Sequence, residues 1–403
     1  MKKPELLAPA GTYEKMVTAF RFGADAVYFA GKKFGLRAFA GNFDDKEIET
    51  AVEYAHKRGK KVYITINILA HEGDFEGLEE YVKYLEKTGV DAVIVADIGI
   101  VAFIKEVCPN LEIHISTQAN VLNSYAINFL AKMGIKRIIL AREVSVNEIK
   151  QIRSKIPADI ELECFVHGAM CISYSGRCLL SNYLSGRDSN RGACVQACRW
   201  QYTINEISRK DGNKYEVQED SRGTYILNSK DMCMIEHLKA LEDAGVNSFK
   251  IEGRMKSEYY VATVVNAYRK ALDGEKDLAM LKKETEKASH RQYTTGFYFG
   301  DNQKECLETS MPIQSHEFVA VVTEDMADGF VKIQQRNRFK LGDTLEVLSP
   351  NQDCFNKQIV VLDLKNCNGE TVEDAKQVQQ ILVLKTDLKL CRGDILRKPI
   401  TSA

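Results

Sequence analysis

The sequence predicts an α/β protein: a closed (β/α)8 barrel of the triosephosphate isomerase type, carrying a cysteine-rich insertion and followed by a small C-terminal all-β barrel domain. Three observations carry this. A unit of amphipathic helix, glycine turn and short apolar strand recurs along the N-terminal part of the chain. Five cysteines crowd into one stretch with little apolar sequence of its own. Beyond about residue 310 the texture changes to short strands broken by Gly, Asn and Asp turns.

The recurring unit reads FRFGADAVYFAG (20–31), EKTGVDAVIVAD (86–97), AKMGIKRIILAR (131–142) and EDAGVNSFKIEGR (242–254). In each, the glycine stands where a helix needs a left-handed cap before the chain enters a buried strand. ELLAPA (5–10), KVYITINIL (61–69), LEIHISTQ (111–118) and IELECFVHG (160–168) complete eight strands. Their near-continuous Val/Ile content suits parallel strands covered on both faces. Helices are expected over 44–59, 75–89, 146–157 and 257–274. An open doubly wound sheet is the alternative, but no G-x-G-x-x-G follows the first strand.

The spacing fails once. The stretch from about 169 to 246 is too long for a connection and holds one clear helix, MIEHLKALEDAG (234–245). It lies where βα loops of a barrel build active sites. Within it, 206–227 reads as a β-hairpin turned at Asp211-Gly212-Asn213. The domains are therefore 1–305, the barrel with its insertion, and 313–403, the β domain, whose short strands are HEFVAVVTED, GFVKIQQRNRF, DTLEVLSP, NKQIVVLDLK and QQILVLKTD.

With 45% hydrophobic and 28% charged residues, the composition is that of a globular chain rather than a disordered one. The segment MKKPELLAPAG has no apolar stretch of signal-peptide length, and no run approaches the roughly 20 apolar residues of a membrane span. A cytoplasmic protein without a membrane partner is the expectation. A net charge of −1 exerts no global pull on nucleic acid, so a basic surface for RNA has to be local.

Eleven cysteines in a reducing compartment do not read as a disulfide framework. Cys171, Cys178, Cys194, Cys198 and Cys233 follow C-x6-C-x15-C-x3-C-x34-C, with Cys164 just before. Structural zinc sites show tight C-x2-4-C pairs, and here only Cys194/Cys198 has such spacing. An iron–sulfur cluster takes four thiolates from a longer insertion. Burial as a small hydrophobe suits Cys108, Cys306, Cys354, Cys367 and Cys391 instead.

ECFVHGAMCISYSGRCLLS (163–181) closely resembles the signature of the collagenase-like peptidase family U32 at Glu163, Phe165, Gly168, Ala169, Met170, Cys171, Gly176, Cys178, Leu180 and Ser181. GRDSNRGACVQACRWQY (186–202), SFKIEGRMKSEYYVATVVNAYRKALD (248–273) and the β domain resemble later stretches of the same family. The resemblance implies an iron–sulfur protein that hydroxylates RNA bases or a quinone precursor. Its nearest members make 5-hydroxyuridine at the tRNA wobble position using prephenate. It also implies a [4Fe-4S] cluster on Cys171, Cys178, Cys194 and Cys233, with Cys198 as the alternate to Cys194. A collagenase-like peptidase is the other enzyme reading, and an RNA-binding protein with a structural cluster the non-enzyme one. Against proteolysis, there is no H-E-x-x-H, and His71-Glu72 lacks a second histidine.

The strand ends offer Asn67, Asp97, Gln118, Asn120, Arg142, Glu143, His167, Glu252 and Arg254 to the barrel mouth. His167, four residues before Cys171, is a pocket or thiol-partner candidate. Arg254, Arg142 and Arg37 suit a dicarboxylate such as prephenate, because guanidinium forks match carboxylates. Glu252 is expected to orient Arg254, and Lys250, Glu252 and Arg254 to share one strand face. Gln196, Arg199 and Trp200 are candidates for contact with a nucleotide, and Lys332, Arg336, Arg338 and Lys340 for phosphates.

Overall fold

The computed structural model describes residues 3–35, 42–171, 173–191, 193–200, 219–220, 223–224, 229–300 and 312–400. Eight parallel strands form a closed barrel: β1 (Glu5–Pro9), β2 (Ala26–Phe29), β3 (Lys61–Ile66), β4 (Ala92–Val95), β5 (Ile113–Ile115), β6 (Arg137–Ile139), β7 (Glu161–Ala169) and β8 (Ser248–Ile251). Each pairs with its sequence neighbour, and β8 closes the ring between β7 and β1. The glycines of the recurring unit cap as the sequence requires, with Gly23, Gly89, Gly134 and Gly245 at φ 106°, 82°, 79° and 88°.

Helix starts are set by side-chain caps. Asp44 and Ser145 open Asp45–His56 and Val146–Arg153 with reciprocal capping boxes, and Asp97 caps Ile98–Val107. Apolar residues on one stripe of each helix are buried, such as Ile48, Ala51, Val52 and Ala55 in the first of these. None of the helices among the described residues is long and apolar enough to cross a membrane.

The strand β7 sets the site. At nine residues it outruns the other barrel strands, and its last three pair antiparallel with Asp231–Cys233. Tyr293–Thr294 then adds in parallel to that short strand. The insertion thus returns to the barrel as an extra strand paired to the carboxyl end of β7. The expected hairpin turn at 211–213 lies outside the described residues; Glu219–Asp220 pairs antiparallel with Gly223–Thr224.

The chain packs as two compact units that are discontinuous in sequence: Met1–Met16, Asp25–Met255 and Arg291–Pro312 in one, Val17–Ala24, Lys256–His290 and Ile313–Ala403 in the other. The second contains helices Glu258–Leu272 and Leu278–Thr285 and a seven-stranded antiparallel sheet. The sheet is a half-barrel, since no pairing among the described residues joins its end strands Gln358–Val360 and Leu364–Asn366. Val319, Ile333, Val347, Leu382 and Leu396 lie in its core. Its strand Ile395–Pro399, which lies inside the sheet beside the central strand His316–Val322, has no counterpart among the strands expected from sequence; the charged Arg397 and Lys398 and the terminal proline break its apolar pattern. Arg397 is buried against Glu284, 2.7 Å away. The basic stretch expected to hold phosphates is largely engaged in ion pairs, Lys332 with Glu324, Arg336 with Glu258 and Arg338 with Asp374.

Candidate active site

The barrel interior carries a buried polar layer. Tyr63 donates to Glu5 (2.8 Å), Arg137 reaches Glu163 (3.3 Å), and the Lys250 ammonium donates to Glu163 (3.0 Å). Burial alone would raise the Glu163 carboxyl, but the charges of Lys250 and Arg137 outweigh it and hold it below the usual range. Burial pushes Lys250 down, opposed by Glu163. Lys250 also sits 4.2 Å above the Tyr28 ring. The Lys250 charge on β8 is thus answered by Glu163 on the neighbouring strand β7.

Above this layer, β7, β8 and the loop after β6 converge. The single Tyr28 hydroxyl proton is shared between two acceptors, the backbone carbonyl of Ile251 (3.0 Å) and the Glu252 carboxylate (3.1 Å). Arg142 places its guanidinium 4.0 Å from the Phe165 ring centre and donates through Nη1 to the carbonyl of Ala169 (2.8 Å). Its Nη2 lies 4.0 Å from Glu252 Oε2. His167 is buried; its backbone carbonyl accepts from the Glu252 backbone N–H (2.8 Å), and its ring meets the Tyr293 ring edge-on at 5.4 Å. Gly168, at φ 105°, lets β7 approach β8 closely: a Cβ there would stand 2.5 Å from the Glu252 carbonyl.

Arg142, His167 and Glu252 are therefore brought together. Arg254 is buried on the β3 side, donating to Thr65 (3.0 Å), and the regular strand ends at Ile251, so strict alternation does not extend to it. Asn67 follows β3 half-buried, while Gln118 and Asn120 belong to the turn after β5, Asn120 at φ 57°. Asp97 serves as a cap, accepting from Gly99, Ile100 and Ala70 backbone N–H groups. Glu143 anchors the insertion through the Ser175 N–H (2.9 Å). Arg37 and the Arg199 side chain lie outside the described residues. Trp200 is half-exposed and donates to the Val195 carbonyl (3.2 Å). Sequence reasoning missed Tyr28, Thr65 and Phe165 as site groups, since each sits in an apolar strand and reads as core.

The thiols gather at the same end. Cys233 is buried on the short strand opposite His167, and Cys171 stands two residues beyond β7. Burial raises the Cys171 thiol, the charges of Cys178 and Cys194 raise it further, and Arg142 lowers it. The Cys171 thiol thus lies within electrostatic reach of Cys178, Cys194 and Arg142. Among the described residues no group of three or more His, Cys, Asp or Glu stands preformed around one metal position. The donor chemistry, a set of soft thiols, fits an iron–sulfur group or zinc.

Residues 11–308 match the profile of peptidase family U32, and residues 314–397 match that of the peptidase family U32 C-terminal domain. The chain belongs to peptidase family U32. Among U32 relatives, the chain is 40% identical over 407 residues to tRNA hydroxylation protein P1 of Bacillus subtilis (strain 168), covering 98% of this chain and 95% of that protein. Against tRNA hydroxylation protein P of Escherichia coli (strain K12) it is 37% identical over 417 residues, covering 92% and 91%. A 23S rRNA 5-hydroxycytidine synthase of the same strain is 40% identical over 269 residues, covering 67% of this chain and 39% of that protein.

Proposed function

We propose that this protein is an RNA-hydroxylating enzyme whose substrate is tRNA and whose product is 5-hydroxyuridine at the wobble position. Near-full-length similarity to two tRNA hydroxylation proteins carries this reading, because it spans the barrel, the cysteine stretch and the β domain together. The rRNA relative matches a shorter part of the chain, which supports base hydroxylation as the common chemistry and leaves tRNA to the full-length relatives.

The proposed cofactor is a [4Fe-4S] cluster; the family resemblance implies Cys171, Cys178, Cys194 and Cys233 as its ligands, with Cys198 as the alternate, and the crowding of thiols in one stretch suits such a group. Such a group would supply one-electron redox chemistry at the barrel mouth. The chain's own residues do the positioning. Arg142 ties the Ala169 carbonyl, and so the start of the cysteine stretch, to the Phe165 face. Glu252, held by Tyr28, keeps a carboxylate beside that guanidinium. Arg142 and Arg254 are the proposed cations for a dicarboxylate co-substrate such as prephenate.

Expression in a strain deleted for its tRNA hydroxylation proteins, followed by nucleoside mass spectrometry of bulk tRNA, tests the reading. Restored 5-hydroxyuridine is the expected result. Unmodified tRNA, with cleavage of gelatin by the purified protein above a Cys171→Ala control, would overturn it in favour of a peptidase.

A further inference from the structure

A cleft of about 330 Å3 opens beside the turn Thr117–Ala119, against helices Ile98–Val107 and Ser124–Lys132. Val101, Ile115 and Val121 form its apolar floor. Ile98 and Phe129, 55% and 60% exposed, stand as its walls, and Arg177 and Gln118 supply polar groups to its lining. Large apolar side chains this exposed around a concavity gain by being covered.

Its polar groups set what covers them. The Asp97 carboxylate also reaches the cleft, but three backbone N–H groups already occupy it. The Arg177 guanidinium and the Gln118 side-chain amide, by contrast, have no hydrogen-bond or ion-pair partner among the described residues. An apolar slot with an unanswered cation and an amide suits a planar, hydrogen-bonding ring attached to an anionic backbone. The volume stands at the small end of ligand clefts, which run from roughly 300 to 1,000 Å3. A docked amphipathic helix would instead need a groove long enough for anchors two turns apart.

The cleft is joined to the cysteine stretch. Gly176 packs on Gln118 so closely that a Cβ would stand 2.2 Å from the Gln118 carbonyl, and Ser175 is 3.4 Å from Thr117. Arg177 immediately precedes Cys178 in the chain.

We propose that this cleft binds one unpaired base of the RNA substrate, a neighbour of the base presented at the barrel mouth. The base face rests on Phe129 and Ile98, while Arg177 meets the adjoining phosphate and Gln118 the base edge. The proposal rests on the RNA reading given above.

Anticodon stem-loops carrying 2-aminopurine at each position flanking the target uridine provide the test. Wild-type protein should quench one of them on binding. Phe129→Ala should lose that quench and bind about tenfold more weakly. Arg177→Ala should reduce the slope of log affinity against log salt by about 0.7, and Arg177→Lys should retain it. An abasic residue at the quenched position should weaken wild type but not Phe129→Ala. Because Phe129 is exposed, its truncation should leave the melting temperature near wild type. Wild-type hydroxylation with both alanine variants binding RNA as tightly and with the same salt slope would overturn the cleft proposal alone. If Phe129→Ala instead changed only self-association in sedimentation, the cleft would belong to a second copy of the chain. Wild-type protein that neither binds nor hydroxylates RNA would overturn the RNA reading and this proposal together.

Discussion

Arg142 and Glu252 lie 4.0 Å apart between the loop after β6 and the end of β8, and the same guanidinium holds the Ala169 carbonyl at 2.8 Å. One side chain therefore links the carboxylate of the barrel mouth to the strand that delivers Cys171. Arg142→Ala should lower 5-hydroxyuridine formation more than tenfold. Arg142→Lys should not restore it, because one ammonium cannot match the geometry of a fork stacked on Phe165. Nucleoside mass spectrometry beside a thermal melt reads this, and normal product in both variants would remove Arg142 from the site.

Protein purified without oxygen should be brown, with about four iron and four sulfide per chain. Cys171→Ala and Cys178→Ala should each remove most of the iron. Cys233→Ala tests whether the buried strand opposite His167 contributes the fourth ligand. A colourless, active protein with stoichiometric zinc would refute the assignment.

Lys250→Met should destabilise the fold by roughly 3 kcal/mol, because it leaves the Glu163 carboxylate buried with one partner fewer. Adding Glu163→Gln should recover part of that loss. The pH dependence has a definite sign. A carboxyl held low in the folded state contributes stability above its unfolded value, near 4.3, and loses it as pH falls through the folded value. Glu163→Gln should thus flatten the acid limb of thermal stability. Lys250, pushed down by burial, works the other way: its own contribution to stability rises as pH climbs from its folded towards its unfolded value.

Gly168→Ala should cost on the order of 2 kcal/mol or more, since it places a Cβ against the Glu252 carbonyl at a φ that alanine resists. Hydrogen exchange should show the loss first at Asp231–Cys233, whose Met232 pairs with Gly168. Uniform protection across β7 and that strand would contradict this account.

The sequence by itself determined the barrel. Local signals agree at every repeat: a glycine that must turn left-handed after a helix, as at Gly89, and then a strand apolar on both faces, as in Ala92–Val95. The cysteine stretch and its family signature were equally legible, because both are matters of residue type and spacing along the chain. Tertiary structure decided which charges meet. Lys250, Glu252 and Arg254 read as one face of a strand, yet Lys250 crosses to Glu163, Glu252 takes Tyr28, and Arg254 takes Thr65. The strand ends at Ile251, and the register shifts between Lys250 and Ile251, so the two-residue period no longer sets direction. Tyr28, Thr65 and Phe165 became site residues only when closure of the barrel brought their strands around a common axis. The partner of a buried charge is chosen by that closure, across strands far apart in the chain, and no local pattern records it.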